Sequence, residues 1–121
     1  MTIITFDQLE TEIRRIVAAD PEHVYQQGEP KNGRPHGIKC YYSVDTPGAV
    51  EACLFGQAFT NLGVPADELK ELEGGPATEY FVFNDLTARQ GDWMTNLQSA
   101  QDRGTPWGRA LADTDSEHPL S

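Results

Sequence analysis

The stretch IKCYYSVDTPGAVEACLF, Ile38 to Phe55, decides how the fold is read, because its residue types favour extended chain on both sides of a turn. Ile38–Val44 and Ala49–Phe55 are rich in β-branched and aromatic residues, and Pro47 and Gly48 punctuate the DTPG between them. That pattern predicts an antiparallel hairpin. With Val44 paired to Ala49, Cys40 faces Cys53 across the strands and the two thiols share one face. Alternation then sends Tyr41 and Tyr42 to opposite faces, one of them into the core.

C-terminal to the hairpin, Phe55, Ala58, Phe59 and Leu62 form an apolar stripe, and Gly63-Val64-Pro65 reads as a left-handed helix stop. ADELKELEGG follows as a short acidic helix with Leu69 and Leu72 inward. TEYFVFN, Thr78 to Asn84, is compatible with either a strand or the start of a helix. N-terminal to the hairpin, Thr5 and Gln8 make a capping box, and Phe6, Leu9, Ile13, Ile16 and Val17 keep helical spacing until Asp20 and Pro21. Arg14 and Arg15 are expected to stay in water. His23–Gln26 has the look of a short strand, and GEPKNGRPHG, Gly28 to Gly37, is a surface loop dense in Gly and Pro. The last third predicts a helix from Thr87 to Arg103 with Trp93, Met94, Leu97 and Ala100 inward, or a shorter one starting at Asp92.

The fold expected from these pieces is a small α+β domain, an antiparallel hairpin or three-stranded sheet packed against three to five helices. Residues 1–112 form one globular domain in this reading, and 113–121 a flexible acidic tail.

The stretch AQDRGTPWGRAL, Ala100 to Leu111, gathers Gln, Asp, Arg and Trp. Gly104 suits a helix end that needs positive φ, and Thr105-Pro106 suits the start of another helix. Trp107, Ala110 and Leu111 then give that helix a buried stripe. On this reading Asp102 accepts from the Trp107 indole or from amides at the corner, while Gln98 and Gln101 tie the helix to nearby loops. The competing reading has Gln101, Asp102, Arg103 and Arg109 lining a polar ligand pocket.

Nineteen acidic residues against nine basic ones give a formal net charge of −10. Such a surface repels phosphate backbones and anionic lipid, so direct nucleic-acid or membrane binding is not expected. No apolar run has the length of a spanning helix, and MTIITFDQLE lacks the features of a secretory signal, so a cytoplasmic protein is expected. Two cysteines are too few for a disulfide scaffold. A zinc site would have to combine Cys40 and Cys53 with His23, His36 or His118, without any Cys-x-x-Cys pair. A thiol nucleophile would pair His36 with Cys40, yet four residues of strand put them about 13 Å apart. The carboxylate pairs Glu71/Glu73 and Asp113/Asp115 sit in acidic runs where solvation is the ordinary role of charge. No nucleotide-binding, nucleophile-elbow or zinc-protease motif occurs, so no cofactor is implied.

With the cysteines so placed, the order CYYSVDTPGAVEACLFGQAFTNLGVP followed by WMTNLQSAQDRGTPWGRAL resembles a type of small protein encoded by actinobacterial phages and their hosts. The similarity runs from Tyr25 to Leu111. It rests on the two-cysteine aromatic hairpin, the helix ending Leu-Gly-Val, and the Gln-Asp-x-Gly-x-x-Trp corner. It implies a phage or actinobacterial setting, the host cytoplasm if phage-encoded, and no particular mechanism. The function expected is therefore that of a non-enzymatic accessory protein acting on a protein partner. Its expected contact surfaces are the loop carrying Lys31, Arg34 and His36 and the acidic helix carrying Asp67, Glu68 and Glu71. The alternatives are a metal-binding or thiol-dependent enzyme using Cys40 and Cys53, and an acidic mimic of DNA. A homodimer is compatible with a domain of this size.

Overall fold

A computed structural model of the 121-residue chain describes residues 3–26, 41–47, 49–73, 75–81 and 86–121. In order, these hold α1 (Phe6–Ala19), α2 (Leu54–Asn61), α3 (Ala66–Leu72), a 3₁₀ turn (Ala77–Phe81), α4 (Ala88–Asp102) and α5 (Trp107–Glu117). The described residues are all-helical and contain no strand, which overturns the α+β expectation.

The reason lies in where the backbone donors of the expected hairpin go. A β-ladder needs alternate donors of each strand to meet carbonyls of the strand opposite. Here the Tyr41 N–H donates to the Tyr25 hydroxyl (2.9 Å), the Tyr42 N–H to Glu73 Oε1 (2.9 Å) and the Leu54 N–H to Gln101 Oε1 (2.6 Å). Cys53 N–H to the Tyr41 carbonyl (2.7 Å) is a backbone bond of the expected kind, and among the described residues no second bond between the two segments extends it into a ladder. The chain does double back, through bonds from Thr46 N–H to the Ser43 carbonyl and from Ala49 N–H to the Thr46 carbonyl. It does so as a turn between irregular segments, and what reads as the end of the second strand is the first turn of α2. Cys53 is the N-cap of that helix, its sulfur 3.5 Å from the Gly56 N–H. Close approach completes the argument: a Cβ at Gly56 would lie 2.2 Å from the Tyr42 carbonyl oxygen, so the Tyr42 backbone rests directly on α2.

The helices themselves follow local rules. Thr5 and Thr87 each close a capping box with the glutamine three residues on, Gln8 and Gln90, so α4 starts at the earlier of the two expected places. α1 buries Phe6, Leu9, Ile13, Ile16 and Val17, a stripe worth on the order of 10 kcal/mol of gross apolar burial. Two corners repeat one device. After α2 the Gly63 N–H donates to the Thr60 carbonyl and the Val64 N–H to Phe59; after α4 the Gly104 N–H donates to Gln101 and the Thr105 N–H to Ala100. These are Schellman ends, and Gly63 (φ 96°) and Gly104 (φ 88°) supply the positive φ they require. Pro65 and Pro106 then cap α3 and α5.

α1 packs on α2 and α5, and α4 packs on α5, on α2 and on the 3₁₀ turn. Trp93, Leu9, Ile13, Phe55, Phe59, Met94 and Leu97 fill the space between them, with Phe6 edge-on to Trp93 at 5.6 Å. α5 runs past Ala112 to Glu117, so Asp113–Glu117 are helical. Within that last stretch Asp115 accepts two bonds from the Arg14 guanidinium (2.8 and 3.0 Å) and one from the Trp93 indole N–H (2.9 Å). Arg14 also bonds Glu10 (2.8 Å) and lies 5.6 Å from the Trp93 ring centroid, so it is not the free surface cation that the sequence suggests. No described helix is long and apolar enough to cross a membrane.

Candidate functional site

The polar residues near the C-terminus serve as internal partners. Gln101 is fully buried on α4; its Oε1 holds the Leu54 N–H and its Nε2 donates to Asp102 Oδ1 (2.9 Å). One turn earlier, Gln98 Oε1 accepts from the Ala77 N–H (3.0 Å) and its Nε2 donates to the Tyr42 hydroxyl (2.7 Å), which donates to the Gly75 carbonyl (2.6 Å). The two glutamines thus satisfy the first amides of α2 and of the 3₁₀ turn, donors with no intrahelical carbonyl to meet. Asp102 takes Gln101 as its donor, not Trp107, whose buried indole N–H has no acceptor among the described residues. Arg109 is exposed and 3.6 Å from Asp113. A hollow of about 220 Å³ beside the corner is lined by Gln98, Asp102, Gly75, Pro76, Thr95 and Ser99, so it gathers neither Arg103 nor Arg109.

Two of the carboxylates read as solvating have inward work. Glu73 receives the Tyr42 N–H and, through Oε2, the Thr46 hydroxyl (2.5 Å). Asp115 is held below the ordinary aspartate range by its bonds from Arg14 and then, against the opposing effect of burial, by the Trp93 N–H. Of the surface residues, Asp67 and Glu71 are exposed on α3 and Glu68 is half-buried; burial, and after it the charge of Glu68, pushes the Tyr80 phenol up. Cys53 is fully buried at the N-cap of α2. Lys31, Arg34, His36 and Cys40 lie outside the described residues, and among the described residues no three His, Cys, Asp or Glu side chains stand together as metal ligands would.

Two further hollows adjoin α2. On one side is a groove of about 260 Å³ between the Ser43–Asp45 turn, Ala52, the facing part of α2, Val64 in the link after it, and Ala66 and Leu69 of α3. Val44 on its wall is 61% exposed, and Val50 in the same segment is 66% exposed. On the other side is a cleft of about 340 Å³ bounded by the end of α1 (Arg15, Ile16, Ala19, Asp20), by His23 and Glu51, and by Trp107. Gln57 and Asn61 line both hollows.

The cleft is built around His23. Its Nε2 lies 3.0 and 2.9 Å from the two Glu51 oxygens and its Nδ1 lies 3.5 Å from Asp20, while its ring rests on Trp107 at 4.4 Å. Glu51 also accepts the Gln26 N–H (2.7 Å), and the His23 and Pro21 carbonyls accept the Trp107 and Gly108 N–H groups at the start of α5. Arg15 is bonded to Glu12, which also accepts from Asn61 (2.8 Å) and is held low chiefly by Arg15. Sequence reading assigns His23 only to a zinc set and leaves Glu51 unmentioned, because the pairing spans 28 residues and carries no local spacing signal. No family model matches the chain, nor does any curated protein or solved structure.

Proposed function

We propose that this is a non-enzymatic accessory protein of a phage or actinobacterial cell that acts by binding a protein partner through the groove between the Ser43–Asp45 turn, α2 and α3. The observation that carries the reading is the pair of exposed aliphatic side chains, Val44 and Val50, on the segment that walls a groove with Ala52, Val64 and Leu69 in its lining. An exposed aliphatic on a rim is ordinary when single; set against an apolar-lined hollow it offers a partner side chain a place to leave water. The acidic helix contributes Ala66 and Leu69 to the groove and carries Asp67 and Glu71 exposed beside it. A chain with net charge −10 favours a partner surface that is basic around an apolar centre.

The test is affinity capture from actinobacterial lysate with the full chain and with Val44→Asp, after circular dichroism shows that both fold alike. A protein retained by the wild-type chain and lost by the variant is the expected result. Identical retention by both, or no retained protein in repeated captures, would refute the proposal.

A further inference from the structure

We infer that the cleft around His23 is a receptor for a basic side chain of the same partner, so that one partner segment lays an aliphatic residue in the groove and an arginine or lysine in the cleft. The inference rests on the binding role proposed for the groove and names the chemistry of what binds. Its first support is continuity: Gln57 and Asn61, one helical turn apart on α2, line both hollows, so a ligand crossing the outer face of α2 meets the two in succession.

The second support is charge. Asp20 and Glu51 line the cleft, and Glu12 sits behind Asn61; Arg15, the one arginine of the lining, is bonded to Glu12. Two carboxylates and one arginine therefore line the cleft; both carboxylates lie against His23, Glu51 half-buried, while the Asp20 side chain is 63% exposed and offers its remaining acceptor capacity to water. The amides agree with the carboxylates. Gln57 and Asn61 each direct one amide N–H to the protein, to the Ala52 carbonyl (2.9 Å) and to Glu12 (2.8 Å), and each adds an amide oxygen to the acceptors of the shared wall. A planar donor fork fits such a set better than an anion or a neutral apolar group. The walls are fixed, because His23 is clamped by Glu51 on one side and stacked on buried Trp107 on the other, so little ordering is left to accompany binding.

The test pans a random peptide library on the immobilised full chain and carries the strongest peptides into fluorescence titrations. Peptides with an aliphatic and an arginine or lysine at a constant separation are expected. Val44→Asp should weaken them at least tenfold, Asp20→Asn about threefold, and Asp20→Asn with Glu51→Gln about tenfold. Replacing the peptide arginine by neutral citrulline should remove the response to Asp20→Asn, a coupling that a merely structural Asp20 would not show. Peptides that lack a basic residue and are lost with Val44→Asp yet indifferent to Asp20→Asn would overturn this inference and leave the groove reading standing. Peptides indifferent to Val44→Asp, or none enriched, would overturn both.

Discussion

Replacing Gln101 by methionine removes the bond that stands where a β-ladder is expected, together with the bond from its Nε2 to partly exposed Asp102. Methionine keeps the length and volume of glutamine and removes both polar atoms, so the fully buried site loses no packing while Leu54 loses the acceptor of its N–H. As the first residue of α2, Leu54 has no intrahelical carbonyl to turn to, and the site is closed to water. An unsatisfied buried amide costs roughly 1–3 kcal/mol, and the methionine thioether recovers part of that by being more apolar, so a net loss of about 2 kcal/mol is expected. For a chain of 121 residues that corresponds to a fall in Tm of roughly 8 °C. Urea denaturation should show the loss as a lower midpoint at unchanged m. Amide exchange adds a local readout: Leu54 should exchange faster relative to mid-helix amides such as Phe59 than in the parent. A loss under about 0.5 kcal/mol, or unchanged relative exchange at Leu54, would refute the claim that Gln101 supplies what the start of α2 lacks.

Asp115→Ala should cost roughly 1–3 kcal/mol in urea denaturation, because the buried Trp93 indole N–H loses its acceptor while the partly exposed Arg14 arm contributes little. The folded pKa of Asp115 is lowered from the ordinary 3.8, so its contribution is complete above that value and is lost as pH falls through the depressed one; Asp115→Asn should flatten the acid limb of a stability-against-pH curve. Gly56→Ala should destabilise by about 3 kcal/mol or prevent folding, since the new Cβ meets the Tyr42 carbonyl oxygen at 2.2 Å, and a soluble variant with parental Tm would contradict that packing. Gly91→Ala should instead raise Tm by a few degrees, from a gain of up to about 1 kcal/mol in helix propensity, because nothing lies within 4 Å of its Cβ.

The elements readable in the sequence are those whose partners are local. Thr5 with Gln8, the apolar stripe of α1, and the glycines at 63 and 104 all act within a turn of chain, and the structure places each where its local chemistry points. The hairpin reading fails for the opposite reason. Extended-chain propensity at Tyr41–Val44 and Ala49–Cys53 registers that these segments are not helical, but a strand is also a statement about hydrogen-bond partners, and here those come from Tyr25, Glu73 and Gln101, as far as 47 residues away. The same distance hides the site. His23 and Glu51 meet across 28 residues, and Arg14 and Asp115 across 101, so a histidine in a turn and an aspartate in an acidic run look like surface residues when read in one dimension.

Those side-chain bonds also determine what the surface can do. A two-stranded hairpin would have spent alternate backbone donors of each segment on the other and buried its aliphatic face against helices. Because Glu73 and Gln101 take the Tyr42 and Leu54 donors instead, the segment between Tyr42 and Cys53 is anchored at its ends and turned outward between them, with Val44 and Val50 in water. Gly56 then lets α2 sit hard against the Tyr42 backbone, next in the chain to Ser43 of the groove's lining, while Glu51 holds His23 in the cleft. The consequence is a rigid helix flanked by two hollows of different chemistry, one with an aliphatic wall and one with carboxylates and amide oxygens. A partner that matched only one hollow would leave the other hydrated and gain little from their proximity. On the binding role proposed above, a segment that matched both would gain twice for a single loss of its own freedom, and selectivity would arise from that difference.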